Sequence, residues 1–237
     1  MSPIAHRQLV LVRHGQSRTN RENRFTGCLD PPLTGLGCAQ AQAAGRWLAT
    51  QGTLVTAAYA SLLLRAVSSC GRILDVLDRG DLRIRTCAGL VERDYGSLNG
   101  LTRAEAEARW GGGLVRQWRR SYSAVRPGEE SLRDTAARVV LAFLRDILPA
   151  VMGGPTLVVA HGNSLRALMM ALDGLTPEEV ETLEMPPGAL RVYEFADDGR
   201  ILDASRIIMP TTTVDPAPDD VLGEMVAEEA GCLRSAS

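Results

Sequence analysis

A chain of 237 residues, 45% hydrophobic and with a formal net charge of −2, can build one sizeable core and carries no global basic field of the kind that binds nucleic acid. No run approaches the roughly eighteen apolar residues of a membrane span, and Leu9 to Val12 is too short for a signal-peptide core, so a soluble, cytoplasmic protein is expected. All 26 basic residues are arginine, which excludes a lysine Schiff base and a P-loop lysine and leaves planar forks suited to phosphate or carboxylate.

Leu9-Val10-Leu11-Val12 reads as a short buried strand with Arg13-His14-Gly15 at its end. His6, in the polar stretch before it, receives no role. Ser17 to Asp30 reads as a polar loop holding Asn20, Arg24, Thr26 and Gly27, and Pro31-Pro32 breaks the chain after it. Leu36, Ala39, Ala43 and Trp47 recur at three- and four-residue steps, predicting a helix from Gly35 to Thr50 that Gly52 ends.

Val55 to Tyr59 is the next expected strand, followed by a helical pattern through Leu64, Val67, Ile73 and Leu77 with Arg65 in its first turn. Leu82 to Arg85 is a short strand candidate. Leu90 to Gly100 is irregular and polar, with Glu92, Arg93, Asp94 and Tyr95 ahead of Gly96. Helical patterns cover Arg103 to Arg109 and Leu114 to Arg120, and Ser131-Leu132-Arg133-Asp134 resembles a capping box for a helix reaching Leu148.

Thr156 to Ala160 reads as a second apolar strand, leading through His161 into a helix from Leu165 to Leu172. Gly162, Asn163 and Ser164 then occupy a helix N-terminus, which attracts anions. Val192 to Phe195 and Ile201 to Ile208 suggest final strands. The expected organisation is a catalytic domain over 1–209 and a tail over 210–237, with a weak helical hint near Val221 to Glu229. Cys28, Cys38, Cys70, Cys87 and Cys232 are odd in number and lack CxxC pairing, so neither a disulfide framework nor a metal site is expected.

If the strands before His14 and His161 are parallel in one sheet, both histidines open on the edge where α/β folds place ligands. His14 can then take a phosphoryl group on nitrogen, with His161, Arg13 and Arg65 supplying charge to its oxygens. Glu92 is the proton-transfer candidate, and Arg103, Arg119 and Arg120 can clamp an anionic substrate. Each residue taken alone also has an ordinary reading. His14 fits a satisfied strand-end histidine, Arg65 a surface salt bridge, Glu92 a solvated carboxylate, and Arg119-Arg120 a basic pair at a helix C-terminus.

Taken together, Leu11-Val12-Arg13-His14-Gly15-Gln16-Ser17, Asn23-Arg24-Phe25-Thr26-Gly27, Glu92-Arg93-Asp94-Tyr95-Gly96, Trp118-Arg119-Arg120-Ser121-Tyr122 and His161-Gly162-Asn163-Ser164-Leu165-Arg166-Ala167-Leu168 resemble the bisphosphoglycerate-dependent phosphoglycerate mutases of the histidine phosphatase superfamily. The resemblance implies an α/β three-layer sandwich with a mostly parallel central sheet and helices on both faces. It implies an isomerase of glycolysis and gluconeogenesis that interconverts 3-phosphoglycerate and 2-phosphoglycerate through a phosphohistidine at His14, primed by 2,3-bisphosphoglycerate. Glu92 would be acid and base, with Arg13, Asn20, Arg65 and His161 around the moving phosphoryl group.

Thr26, Gly27, Tyr95, Arg103, Arg119, Arg120, Gly162 and Asn163 match positions of the family's substrate pocket, and a homodimer or homotetramer binding small phosphoglycerates is implied. The chain departs from the family at Asp94, where many members have histidine, and at Arg103, where many have lysine. Only Ser123 to Gly128 stands where many mutases carry a longer lid-like insertion. That shortness motivates the alternative of a phosphomonoester phosphatase of the same superfamily. A non-catalytic phosphate-binding or regulatory protein is the third reading.

Overall fold

The computed structural model describes residues 7–126 and 128–213; His6, Cys232 and the helical hint at Val221 to Glu229 lie outside the described residues. Four strands, β1 (Arg7–Arg13), β2 (Ala57–Ser61), β3 (Ile84–Cys87) and β4 (Thr156–Ala160), run parallel. β5 (Leu190–Phe195) is antiparallel to β1 and β6 (Ile201–Ala204) is antiparallel to β5, giving the order β3-β2-β4-β1-β5-β6.

Both faces of the central strands are covered, and the two-residue period of a strand decides which side chain goes where. Leu9, Leu11 and Val158 pack with α6 (Leu132–Ala142), α7 (Leu148–Gly153) and α8 (Gly162–Asp173). Val10, Val12, Leu157 and Val159 pack on the opposite face with α2 (Gly35–Thr50) and α3 (Leu64–Val76). All five residues of β4 are buried, and each large apolar side chain hidden this way contributes roughly 1.5–3 kcal/mol. A continuous apolar run rather than an alternating one follows from this double cover. The architecture is the expected three-layer α/β sandwich.

α1 (Arg18–Arg21) is a single turn inside the stretch read as loop; Ser17 caps it, its hydroxyl accepting from the Asn20 amide while its own amide donates to Asn20 Oδ1. α4 (Arg103–Trp110) and α5 (Gly112–Arg120) are separated by Gly111. The helix that Ser131 caps runs past Leu148 to Gly153, through a wide turn at Phe143–Ile147. Pro149 explains that turn: lacking an amide hydrogen, it cannot continue the regular ladder, and the backbone widens to accommodate it. α9 (Pro177–Thr182) has no counterpart among the sequence expectations; at six residues it carries too little periodicity to be read, although Thr176 and Glu179 form a capping box for it. No helix of the described residues is long and apolar enough to cross a membrane.

The loop after β1 is pressed backbone to backbone on the start of α2. A Cβ on Gly15 would lie 2.0 Å from the Gly37 carbonyl oxygen, and one on Gly37 would lie 2.0 Å from that of Gln16. Neither contact can be relieved by rotating a side chain. Gly37→Ala is therefore expected to lower the unfolding free energy by about 3 kcal/mol, measured by urea denaturation.

Candidate active site

Arg13 stands opposite Ala160 in the β1/β4 register, so the residues that follow the two strands emerge side by side. The His14 amide donates to the Ala160 carbonyl at 3.0 Å, and the His14 and His161 rings meet edge to face with centroids 5.0 Å apart. Both imidazoles are buried.

The two ring nitrogens of His14 have different neighbours. Nδ1 lies 2.6 Å from the Gly15 carbonyl oxygen, which can only accept, so Nδ1 carries the hydrogen and Nε2 is left with its lone pair. Nε2 accepts from Arg65 Nε at 3.4 Å. Burial first, then the charges of Arg65 and Arg13, hold the His14 pKa well below 6.5, against a smaller upward pull from the Gly15 carbonyl. His161 is pushed the same way by burial, then by Arg65, His14 and Arg13. Its two ring nitrogens have no hydrogen-bond partner among the described residues.

Two histidines kept neutral in the fold make stability depend on pH in a definite sense. Below their unfolded pKa of 6.5 the unfolded chain binds protons that the folded chain refuses, so stability falls as pH drops through that value. Acidifying from about pH 7 to about pH 5.5 is expected to cost about 2 kcal/mol through this pair. His161→Gln should roughly halve the histidine contribution, read from urea denaturation across that interval.

Arg65 enters from the first turn of α3. Its Nη1 donates to the Leu29 carbonyl at 2.6 Å and its Nη2 to that of Gly27 at 3.1 Å. Gly27 sits at φ +49°, and a Cβ there would lie 2.0 Å from Asn99 Oδ1, so a side chain at this turn would be strained and would displace Asn99. Arg13 donates from Nη1 to the Met185 carbonyl at 2.7 Å, and its guanidinium covers Gly162, whose absent side chain leaves the space.

Glu92 is largely buried and held at the start of α8. Its Oε1 accepts from the Asn163 amide at 3.1 Å and from the Arg93 amide at 2.8 Å. The first turn of a helix favours a carboxylate in this position. The Asn163 side chain continues the network, donating to the Tyr95 hydroxyl at 2.9 Å and accepting from Arg166 at 3.0 Å.

These groups surround a cleft of about 350 Å³. Of the residues expected from sequence, Arg13, Asn20, Thr26, Gly27, Glu92, Tyr95, Arg103, Arg119, Arg120, Gly162 and Asn163 line it. His14, Arg65 and His161 do not form its wall; His14 and His161 adjoin the lining residues Arg13 and Gly162 in the chain, and Arg65 donates to the carbonyl of the lining residue Gly27. Arg103 and Arg119 make no side-chain hydrogen bond or ion pair among the described residues, so both forks are open to an anion. Burial and the neighbouring Arg119 charge lower the Arg103 pKa. Arg120 differs: its fork is already engaged by the Glu181 and Leu183 carbonyls and by Glu184 at 2.7 Å, tying α5 to the segment after α9.

Sequence reasoning gives no site role to Arg166, although the His161 motif contains it; it lines the cleft while donating to the Val180 carbonyl, and burial lowers its pKa to about 10. Its spacing of three from Asn163 on one helix face was the available signal. It also missed the wall formed by Glu184 to Pro187, for which the Pro-Pro-Gly break before β5 was the only cue. Among the described residues no group of three or more His, Cys, Asp or Glu side chains could hold a metal ion.

The model of the histidine phosphatase superfamily (branch 1) matches residues 9–207. The 2,3-bisphosphoglycerate-dependent phosphoglycerate mutase of Methylorubrum extorquens is 50% identical over 193 residues, 81% of this chain and 91% of that protein. The mutase of the same name from Methylocella silvestris is 47% identical over 205 residues, 86% of this chain and 99% of that one. Among solved structures, a mycobacterial glucosyl-3-phosphoglycerate phosphatase complexed with VO3 superposes with a TM-score of 0.70 at 29% identity, covering 87% of this chain and 99% of its own. Paired imidazoles at the ends of adjacent parallel strands, an arginine-lined cleft and these similarities converge: the chain belongs to the histidine phosphatase superfamily, branch 1, and within it to the 2,3-bisphosphoglycerate-dependent phosphoglycerate mutases.

Proposed function

We propose that the chain interconverts 3-phosphoglycerate and 2-phosphoglycerate by way of a phosphohistidine at His14. The observation that carries this reading is the fixed tautomer of His14: the Gly15 carbonyl takes the Nδ1 hydrogen, and the Nε2 lone pair faces the Arg65 guanidinium. A neutral ring with one unprotonated nitrogen amid cationic forks is what nucleophilic attack on a phosphorus atom requires.

In this reading phosphorylated His14 passes its phosphoryl group to the free hydroxyl of bound 3-phosphoglycerate, and Glu92 takes the hydroxyl proton. His14 Nε2 then attacks the phosphoryl group at the neighbouring position, and Glu92 returns the proton to the departing oxygen. Arg13, Arg65 and His161 surround the moving group, with Asn20 beside them, while Arg103, Arg119 and Asn163 hold the non-reacting end and Thr26, Gly27, Tyr95, Arg120 and Gly162 shape the pocket. The open forks of Arg103 and Arg119, and an Arg13 Nε with no partner, fit a compound carrying two phosphates and a carboxylate. When bound, 2,3-bisphosphoglycerate supplies the first phosphoryl group. A cytoplasmic enzyme, homodimeric or homotetrameric, is part of the same reading.

The phosphatase alternative draws on the 29% identical glucosyl-3-phosphoglycerate phosphatases and on the brief stretch between α5 and α6. Incubating the protein with 3-phosphoglycerate, with and without added 2,3-bisphosphoglycerate, separates the two. Bisphosphate-dependent appearance of 2-phosphoglycerate is expected; release of inorganic phosphate without isomerisation would overturn the proposal.

A further inference from the structure

We propose that Arg138 and Glu130, which lie outside the cleft, form a positioning pair that sets the reach of Glu92. Arg138, on α6, spends its whole fork on this task. Nη1 donates to the Gly89 and Val91 carbonyls at 2.9 and 2.7 Å, and Nη2 to the Glu92 carbonyl at 3.2 Å. Its remaining donors go to Glu130, Nε at 2.7 Å and Nη2 at 3.1 Å. Five N–H groups thus meet five acceptors, three of them on the loop that carries Glu92.

Glu130 completes the grip from the other side, accepting the Asp94 amide at 2.8 Å. The two ends of the Gly89 to Asp94 segment are therefore held by Arg138 of α6 and by Glu130 just before it, and the carboxylate of Glu92 meets the amides of Arg93 and Asn163. The loop has no regular structure beyond the short turn at Ala88–Leu90, so nothing in its own ladder fixes the Glu92 backbone. A lysine in place of Arg138 keeps the charge but offers one nitrogen to acceptors spread over four residues.

The inference rests on Glu92 being the proton donor and acceptor of the proposed reaction, and it predicts which chemistry suffers. An alkyl phosphate must receive a proton on its departing oxygen, whereas 4-nitrophenyl phosphate releases a stable phenolate without one. Arg138→Lys and Glu130→Gln are to be compared with the unaltered enzyme in single-turnover phosphorylation of His14, once from 2,3-bisphosphoglycerate and once from 4-nitrophenyl phosphate. Arg138→Lys is expected to lose roughly 10- to 100-fold with the alkyl donor and less than about 3-fold with the aryl donor, with donor affinity retained; Glu130→Gln shows the same pattern in weaker form.

Equal losses with both donors would reduce the pair to general support of the fold and overturn the proposal, as would no loss with either. Thermal melts of both variants accompany the rates, but the deciding quantity is the ratio between donors, which simple unfolding of a fraction of the protein leaves unchanged. If the unaltered enzyme is phosphorylated by both donors yet does not isomerise 3-phosphoglycerate, the mutase reading falls while the ratio still judges the pair.

Discussion

His14→Ala is expected to take up no phosphoryl group from 2,3-bisphosphoglycerate and to lose roughly 100,000-fold in kcat, the scale on which deleting a nucleophile acts when the reaction passes through a covalent intermediate. The cause is specific. Removing the ring removes the nitrogen that accepts from Arg65, while Arg13, Arg103 and Arg119 remain to bind the anion. Substrate affinity should accordingly survive where turnover does not. Labelling with radioactive bisphosphate followed by alkaline gel separation is the check, and labelling equal to that of the unaltered protein would exclude His14 as the acceptor.

Glu92→Gln is the second large effect, a fall in kcat of roughly 1,000-fold with phosphoglycerates, within the range that a positioned proton donor contributes. Glutamine keeps the shape and can still accept from the Asn163 and Arg93 amides through its carbonyl oxygen, so the loop should hold its place. What it cannot do is carry a proton to and from the substrate oxygen. The loss should be far smaller with 4-nitrophenyl phosphate, and comparable losses with both substrates would remove Glu92 from the proton-transfer role.

Much of the fold was legible where patterns were long or strongly apolar. α2 spans Gly35–Thr50 as its three- and four-residue spacing requires, and β4 ends at Ala160 as its β-branched run suggests. β2 departs from expectation: Val55 favours a strand from Val55 through Tyr59, but the strand is Ala57–Ser61. Its small residues have little strand preference of their own and are held by β3 and β4 on either side, a tertiary effect that outweighs propensity.

The candidate site was legible for a different reason. His14, Glu92, His161 and the arginines proposed as clamps sit in short motifs whose residue types and order are constrained by chemistry, so the resemblance singled them out without any geometry. Arg138 carries no such mark. It is one arginine among 26, in the middle of an amphipathic helix, and its task becomes visible only when the carbonyls of Gly89, Val91 and Glu92 are seen to converge on it. Arg120 shows the converse: its motif marked it as a clamp, yet its fork is engaged by Glu181, Leu183 and Glu184.

The pairing of Arg13 with Ala160 has a consequence for how the enzyme comes into being. Because the two imidazoles directly succeed neighbouring central strands of the sheet, sliding one strand by a single residue would exchange the side chains fitted to its two covered faces and separate the rings in the same motion. Misregistered chains are thus penalised by the core before any chemistry is at stake, and a molecule that has zipped its central strands correctly has already brought its reacting groups together.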